Sequence, residues 1–170
     1  RFLNESLSYH LFGERMLERD ANGKSNATAY LIADRTALVQ YGLGMVRPGG
    51  RGLKPFLKDG YLVEAADIET LAQRLGMVPS VLKATVEDMN SFARHGLDSE
   101  FQRGSTAYQR NLGDPAVLPN PTLGSLAQAP YYAVRLQPGD IAASVGLVTD
   151  ANGRVLRGNE PIEGLYAAGN

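Results

Sequence analysis

The sequence predicts an α+β fold in which helices pack on a small sheet of mixed or antiparallel strands. Two observations indicate this class. β-leaning segments at residues 27–34 and 131–137 lie far apart in the chain, and amphipathic helical patterns occupy residues 67–75 and 79–95 between them. With 170 residues, of which 44% are hydrophobic, the chain can bury one core of ordinary size.

The first sixty-odd residues alternate between extended and turn-rich stretches. The opening RFLNESLSYH reads as part of a strand. ATAYLIAD, residues 27–34, predicts a strand, and RTALVQYG, residues 35–42, predicts one or two helical turns that end at a glycine. Residues 43–60 contain five glycines and two prolines, which favours a loop without regular structure, and residues 61–66 are again extended.

Two helices follow, each with recognisable end signals. Asp67 is a plausible N-cap, and Gly76 ends the first helix. Its apolar positions have helical spacing: Ile68, Leu71, Ala72 and Leu75. Pro79 in a first turn begins a longer helix that His95 and Gly96 close. Its apolar stripe comprises Val81, Leu82, Thr85, Val86, Met89, Phe92 and Ala93. A histidine in the last turn of a helix interacts favourably with the helix dipole when it is protonated, so we predict a structural role for His95.

The C-terminal third begins with a loop and closes in β-structure. Residues 97–130 are rich in proline and glycine, which favours irregular backbone. YYAVRLQ, residues 131–137, predicts a strand, and GLVTDANGRVLRG predicts a hairpin whose turn is residues 150–153. Its Asn-Gly pair suits the positive φ angles of a tight turn.

Composition excludes several functional classes. Seventeen basic and 18 acidic residues give a net charge of −1 without blocks of like charge, which argues against a nucleic-acid partner. The chain has no cysteine and only two histidines, far apart, so we predict no metal site. No apolar run reaches the roughly 20 residues of a membrane span, and the first residues lack a signal-peptide pattern, which together favour a cytoplasmic location. Motifs of nucleotide-binding loops, serine hydrolases and zinc proteases are absent.

Five segments in order carry a family resemblance: RFLNESLSYHLFGERM, GYLVEAADIETLAQRLGM, LKATVEDMNSFARHGLDSEFQRG, APYYAVRLQPGDIAASVGLVTDANGRVL and PIEGLYAAGN. They resemble the flavoprotein family of succinate dehydrogenase, fumarate reductase and 3-ketosteroid Δ1-dehydrogenase, nearest the ketosteroid branch. The resemblance implies the capping domain of a two-domain flavoprotein. Residues 1–12 would be the connection from the FAD-binding domain, residues 13–135 the substrate-capping domain, and residues 136–170 the return segment and hairpin.

The resemblance also implies FAD as the cofactor of a longer protein, with the missing FAD-binding domain as this chain's partner. A Gly-x-Gly-x-x-Gly turn does not occur in the sequence. Because the pyrophosphate of FAD needs such a turn at a helix N-terminus, we expect this chain alone to bind flavin weakly or not at all. Gly146, Leu147, Gly169 and Asn170 are the positions that the resemblance places at the flavin.

Desaturation next to a carbonyl needs a base for the α-proton, donors for the developing enolate and an acceptor for the hydride. Tyr9, four residues after Glu5, takes the base's place in the family pattern. A phenol needs a neighbouring cation or donors to act as a base, and His10 is a guess for that role. The alternative is that Tyr9 is a packed aromatic. Arg1, Asn4 and Glu5 are better read as a buried polar network than as catalytic groups.

The loop at residues 138–147 bears on the substrate. Dicarboxylate enzymes of the family resemble one another in a histidine-rich loop there, whereas this chain has neither His nor Arg between Pro138 and Leu147. A doubly charged substrate would find no partner in it, which favours an apolar, steroid-like ketone. Two alternatives stay open: a fumarate-reductase-type enzyme or another family member, and a non-enzymatic module that binds an apolar ligand or a protein.

Overall fold

A computed structural model describes residues 3–18, 23, 27–139 and 146–169. By its contacts the chain divides into two compact units, Arg1–Pro138 and Gly139–Asn170. The first unit contains helices and strands, and the described residues of the second contain two strands. The chain is therefore α+β, the class that the sequence predicts. No helix among the described residues is both long and apolar enough to cross a membrane.

The first unit holds six helices and three strands among its described residues. They are α1 (Tyr9–Leu17), β1 (Ala29–Ala33), α2 (Arg35–Tyr41), α3 (Leu53–Lys58), β2 (Leu62–Ala65), α4 (Ile68–Arg74), α5 (Pro79–His95), α6 (Ala107–Asn111) and β3 (Tyr131–Leu136). The sheet has the order β1-β3-β2, and both pairings are antiparallel. Ala29 pairs with Leu136, and Leu62 pairs with Val134. The late strand β3 therefore lies between two strands from the first half of the chain.

Helices cover both faces of this sheet. Successive side chains of a strand point to opposite faces, and in these strands both sets are apolar, so each face needs a covering layer. One face packs against α2 and α3 through Ala33, Leu38, Leu62, Tyr132 and Val134. The opposite face packs against α4 and α5 through Ala65, Leu71, Ala72, Leu82, Val86 and Ala133. The apolar core of the unit therefore lies in two layers on either side of one small sheet.

The helix ends lie where the end signals in the sequence predict them. The Asp67 carboxylate accepts a hydrogen bond from the Thr70 N–H at 2.6 Å at the start of α4. Pro79 opens α5, and Gly96 closes it in the left-handed conformation with φ of 68°. The His95 ring lies 2.8 Å from the Ser91 carbonyl one turn earlier, which agrees with its structural interpretation. Gly42 ends α2, also as predicted.

Asp34 is a cap whose additional role sequence reasoning did not anticipate. One carboxylate oxygen accepts from the Ala37 N–H at 2.8 Å, as the N-cap of α2. The other accepts from the N–H groups of Ala127 and Gln128, each at 3.0 Å. This buried side chain therefore joins the end of β1 to the segment that leads into β3.

The predicted loop at residues 97–130 is irregular apart from the short helix α6. The buried Asn120 side chain organises it: the amide donates to the carbonyls of Gly96 and Arg103 at 3.1 and 3.0 Å, and the oxygen accepts from the Thr122 N–H. A loop of this length can stay ordered because its buried polar groups find partners within it.

The second unit contains β4 (Arg154–Arg157) and β5 (Glu160–Tyr166), which pair antiparallel. The predicted turn at residues 150–153 is present, with the Gly153 N–H donating to the Asp150 carbonyl at 3.0 Å. Gly153 alone of the Asn-Gly pair has a positive φ, because the Asp150 carboxylate holds the turn by accepting from the N–H groups of Asn152 and Arg154.

Three predictions of local structure are corrected. The described part of the opening stretch, residues 3–8, is not a strand: it is a turn that leads into α1, because Asn4, Ser6 and Ser8 favour turns and helix starts over strands. The glycine-rich loop contains α3, where Pro55 sits in the first turn and loses no hydrogen bond. The predicted hairpin about the 150–153 turn is short: it consists of the bridge Thr149 to Val155 and two backbone hydrogen bonds, from Asp150 N–H to the Arg154 carbonyl and from Leu156 N–H to the Val148 carbonyl, while β4 forms its regular ladder with β5.

Candidate functional site

Helix α1 carries the candidate base at its first residue. Tyr9 is 91% exposed, so its phenol is not packed in the core formed by the described residues. The helix starts at Ser8, whose carbonyl accepts from the Phe12 N–H at 2.8 Å. The role of Tyr9 as a base stays a prediction.

The guess that His10 activates Tyr9 gains no support from its recorded contact. The His10 Nε2 atom lies 3.2 Å from the Glu14 Oε1 atom, one turn along α1, and both side chains are largely exposed. A protonated His10 would therefore be partnered by Glu14. Any donor or cation that activates the Tyr9 phenol has to be sought elsewhere.

The segment before α1 is held by a buried arginine that sequence reasoning missed. Arg103 is 1% exposed, and its Nε donates to the Glu5 Oε2 atom at 3.0 Å while its Nη2 donates to the Leu3 carbonyl at 3.2 Å. The predicted buried network around Asn4 and Glu5 therefore exists, but its arginine is Arg103. Arg1, the arginine that the sequence suggested, lies outside the described residues.

Asp98 neutralises this arginine. Its Oδ2 atom lies 2.7 Å from the Arg103 Nη1 atom, and both side chains are fully buried. Burial alone would raise the pKa of Asp98, but hydrogen bonds from three backbone N–H groups and the charge of Arg103 outweigh it, and the pKa lies below its ordinary value of 3.8. The sequence held a weak indication of this pair: Asp98 and Arg103 are five residues apart in a predicted loop, a spacing that allows a local ion pair.

An apolar cavity of about 540 Å³ lies between the N-terminal segment, the edge strand β1 and helix α5. Phe12 lines it from α1, one turn after Tyr9, and Leu3 and Glu5 line it from the preceding segment. Val81 and Met89 belong to the predicted apolar stripe of α5 and both line the cavity. Val81 is exposed, whereas Met89 also packs in the core against Ala93 and Leu123. Among the described residues that line the cavity, none is Lys, Arg or His.

The candidate flavin contacts fall in the second unit. Gly146 and Leu147 are exposed, and Gly169 has a φ of 134°, where any other residue would be strained. A Cβ added at Gly169 would meet no atom within 4 Å, so the backbone is open to the close approach of a flat group. The role of Gly146, Leu147 and Gly169 as flavin contacts stays a prediction. Asn170, and the 140–145 part of the predicted substrate loop, lie outside the described residues.

No cluster of three or more His, Asp or Glu side chains that could hold a metal ion occurs in the part of the chain that the structure describes. Glu5 is the one carboxylate in the described cavity lining, and it is held by Arg103. The cavity can thus accept an uncharged, apolar molecule. Tyr9 does not line it; from α1 the cavity is lined by Phe12, one turn later.

Comparison with known proteins shows which family the chain belongs to. A sequence model of the family described as FAD binding domain matches residues 1–170. The chain is 39% identical over 176 residues to the 3-oxosteroid 1-dehydrogenase of Mycolicibacterium smegmatis, covering 100% of this chain and 31% of that protein. It is 41% identical over 170 residues to the 4-oxocyclohex-2-ene-1-carboxylate 5-dehydrogenase of Sinomonas cyclohexanicum, covering 99% of this chain and 29% of that protein.

A solved structure extends the likeness to three dimensions. The 3-ketosteroid Δ1-dehydrogenase of Sterolibacterium denitrificans, in complex with 1,4-androstadiene-3,17-dione, superimposes with a TM-score of 0.83 at 39% identity, over 98% of this chain and 30% of that one. The chain spans about a third of the length of the relatives it matches. It belongs to the FAD binding domain family, that of the succinate dehydrogenase and fumarate reductase flavoproteins and of the 3-ketosteroid dehydrogenases.

Proposed function

We propose that this chain is the substrate-capping part of an FAD-dependent dehydrogenase that desaturates an apolar, steroid-like ketone at the bond next to the carbonyl. In this proposal residues 1–12 lead in from the FAD-binding domain, residues 13–135 cap the substrate, and residues 136–170 return. The remaining FAD-binding domain of a longer protein is then the partner of this chain. A cytoplasmic location is part of the same proposal.

The apolar cavity is the observation that carries the proposal. Its volume of about 540 Å³ lies within the range of about 300–1,000 Å³ typical of sites for drug-sized ligands. Its lining is apolar apart from a few hydroxyl groups and Glu5, whose carboxylate is paired with Arg103. Such a lining favours a neutral ligand, since an anion there would bury a charge without a partner.

The chemistry requires a base beside the cavity. In the proposal the Tyr9 phenolate takes the proton from the carbon next to the carbonyl. Phe12 follows on the same side of α1 and lines the cavity, so the helix end that carries Tyr9 is adjacent to the space a ketone would fill. FAD, when bound, supplies the two-electron acceptor, and Gly146, Leu147, Gly169 and Asn170 are the proposed contacts to it.

A second candidate has specific support. The relative from Sinomonas cyclohexanicum is named for a small oxo-carboxylate, and its identity to this chain, 41%, slightly exceeds the 39% of the steroid enzyme. Identity therefore does not separate a steroid from a cyclic oxo-acid. We favour the steroid-like ketone because the described cavity lining has no cation to pair with a carboxylate.

A substrate comparison on the full-length protein tests the proposal. We expect the kcat/KM for a 3-oxosteroid with an artificial electron-accepting dye to exceed the value for 4-oxocyclohexanecarboxylate. The reverse order would favour the second candidate. Reduction of fumarate by a reduced dye would indicate a fumarate-reductase-type enzyme, and apolar-ligand binding without turnover of any of these compounds would indicate a binding module.

A separate measurement tests the division between cap and flavin domain. The 170-residue chain, purified alone after expression with excess FAD, is expected to be colourless after gel filtration. A folded chain that keeps one flavin per molecule would contradict the assignment of this chain as a cap.

A further inference from the structure

Arg103 joins three parts of the first unit with one side chain. Its planar guanidinium presents its N–H donors in fixed directions. Nη1 donates to the Asp98 carboxylate at 2.7 Å, Nε to the Glu5 carboxylate at 3.0 Å, and Nη2 to the Leu3 carbonyl at 3.2 Å. The last two partners are 98 and 100 residues away in the sequence. One buried side chain therefore fixes both the position and the direction of the segment before α1.

The anchor itself is rigid. The Phe101 ring lies 4.9 Å from the guanidinium carbon, which suits a cation–π contact. The Asp98 carboxylate accepts from the N–H groups of Glu100, Phe101 and Arg103 at 2.9, 3.1 and 3.2 Å, so it closes the loop on which Arg103 sits. The arginine therefore cannot follow the N-terminal segment without disrupting its own loop.

Glu5 is not needed to neutralise the buried arginine. Asp98 already does so, with both side chains fully buried, whereas the Glu5 side chain is 41% exposed. A second carboxylate on the same guanidinium adds little to charge balance. What it does add is a charge-assisted hydrogen bond between the N-terminal segment and the anchor.

A short, hydrogen-bonded link connects Glu5 to the start of α1. The Asn4 side-chain oxygen accepts from the Ser6 N–H at 3.0 Å, and Asn4 is itself buried. Ser8 then begins the helix by accepting from the Phe12 N–H at 2.8 Å. Tyr9 follows directly as the first helical residue. A displacement of Glu5 would therefore be passed to Tyr9 over four residues.

We propose that Arg103 and Glu5 form a clamp that positions Tyr9, and that both are positioning residues for the desaturation. The inference rests on the proposed function, because it takes Tyr9 as the base. The clamp acts on Tyr9 through the backbone of residues 3–8. Glu5 also lines the proposed substrate cavity, where its carboxylate is held by Arg103, so the test compares kcat with KM to separate the positioning of Tyr9 from contact with the ketone.

The test uses Glu5→Gln in the full-length protein, alone and combined with Tyr9→Phe. Glu5→Gln keeps the shape of the side chain and leaves the buried Asp98–Arg103 pair intact, so the protein folds. We expect kcat for the ketone to fall about tenfold or more with KM changed less than about twofold, because a reacting group displaced by about 1 Å can cost up to about a hundredfold. In the Tyr9→Phe background the same change is expected to have no further effect, since coupled residues are not additive.

Arg103→Lys and Lys83→Met complete the set. Arg103→Lys keeps the positive charge but loses the planar guanidinium that bonds Asp98, Glu5 and Leu3 at once, and we expect it to lower kcat as Glu5→Gln does. Lys83→Met removes an ion pair to Glu69 of 2.6 Å at an exposed site away from the cavity, and is expected to leave kcat unchanged. Amide hydrogen exchange at residues 9–17 gives a readout without activity: we expect it to be faster in Glu5→Gln than in the unchanged protein or in Lys83→Met.

The outcomes separate this inference from the proposed function. If Tyr9→Phe lowers turnover but Glu5→Gln either has no effect or adds to it independently, the clamp is overturned and the role of Tyr9 stands. If no ketone is turned over, the proposed function fails, and amide exchange in Glu5→Gln becomes the test of the clamp. Unchanged exchange at residues 9–17 overturns the clamp. Faster exchange there supports Arg103 and Glu5 as the contact that holds α1 in place.

Discussion

The two units of the chain differ in how much of their own structure they bury. The first covers both faces of a three-stranded sheet with helices. In residues 146–169 of the second, Val155 is the one buried residue and the sheet has two strands. A two-stranded hairpin is marginally stable in water by itself. Arg103 is buried within this unit, whereas Tyr9 lies on α1, of which Met16 is the one buried residue. The candidate flavin contacts lie on a segment that buries little of its own surface.

The largest expected effect tests the substrate side of this comparison. In the full-length protein we expect Tyr9→Phe to lower turnover by about a hundredfold or more, in line with the loss of an acid–base group, while the flavin content stays the same. Steady-state kinetics and the flavin absorbance measure the two. Tyr108→Phe, at another exposed tyrosine on α6, is the matched control. Near-normal turnover by Tyr9→Phe would leave Tyr9 without a chemical role.

The next effect concerns stability of the first unit. Asp98→Asn leaves the buried Arg103 charge without its carboxylate, and we expect it to lower the free energy of unfolding by about 3–5 kcal/mol. Urea unfolding of the 170-residue chain measures this. Glu69→Gln, which breaks the exposed pair with Lys83, is expected to change it little. Equal losses in the two variants would mean that burial is not what gives the Arg103 network its strength.

The same carboxylate predicts an acid dependence. Since the folded-state pKa of Asp98 lies below its ordinary value of 3.8, its contribution is fully present above about pH 4 and is lost as pH falls through the lowered pKa. Unfolding measured at a series of pH values is expected to show this loss in the unchanged chain and a smaller one in Asp98→Asn. Parallel acid curves for the two proteins would contradict it.

The next effect is the loss of stability from a core substitution in the first unit, which is later compared with a substitution in the second. Leu71→Ala removes a fully buried side chain between α4 and the sheet, and we expect it to lower the free energy of unfolding by about 2–5 kcal/mol. Urea unfolding of the chain measures it. Leu75→Ala, at the residue directly after α4 and only partly buried, is the matched control and is expected to cost less.

Much of the first unit could be predicted from local signals. Asp67, Pro79 and Gly96 each act at a helix end as their chemistry dictates, and β-leaning apolar runs predict β1 and β3. Local chemistry also explains the errors. Pro55 reads as a helix breaker unless the helix start is known.

The candidate site was less predictable because its key contacts are distant in sequence. Nothing local links Arg103 to Leu3 and Glu5, about a hundred residues earlier, and only the fold brings them together. The cavity has the same origin: it forms where Phe12, β1 and α5 meet. Tyr9 and Gly169 came from family resemblance, which carries information that composition and spacing do not.

The smallest expected effect tests the second unit. Leu165→Ala on β5 truncates an exposed apolar side chain, and we expect it to change the free energy of unfolding of the 170-residue chain by less than about 0.5 kcal/mol. The reason is that little of this strand is removed from water, so little is lost on truncation. Amide exchange of β4 and β5 is correspondingly expected to be faster than that of β1 and β3. A loss as large as that of Leu71→Ala, or slow exchange in β5, would mean that the second unit supports itself and that the difference between the two units is not one of burial.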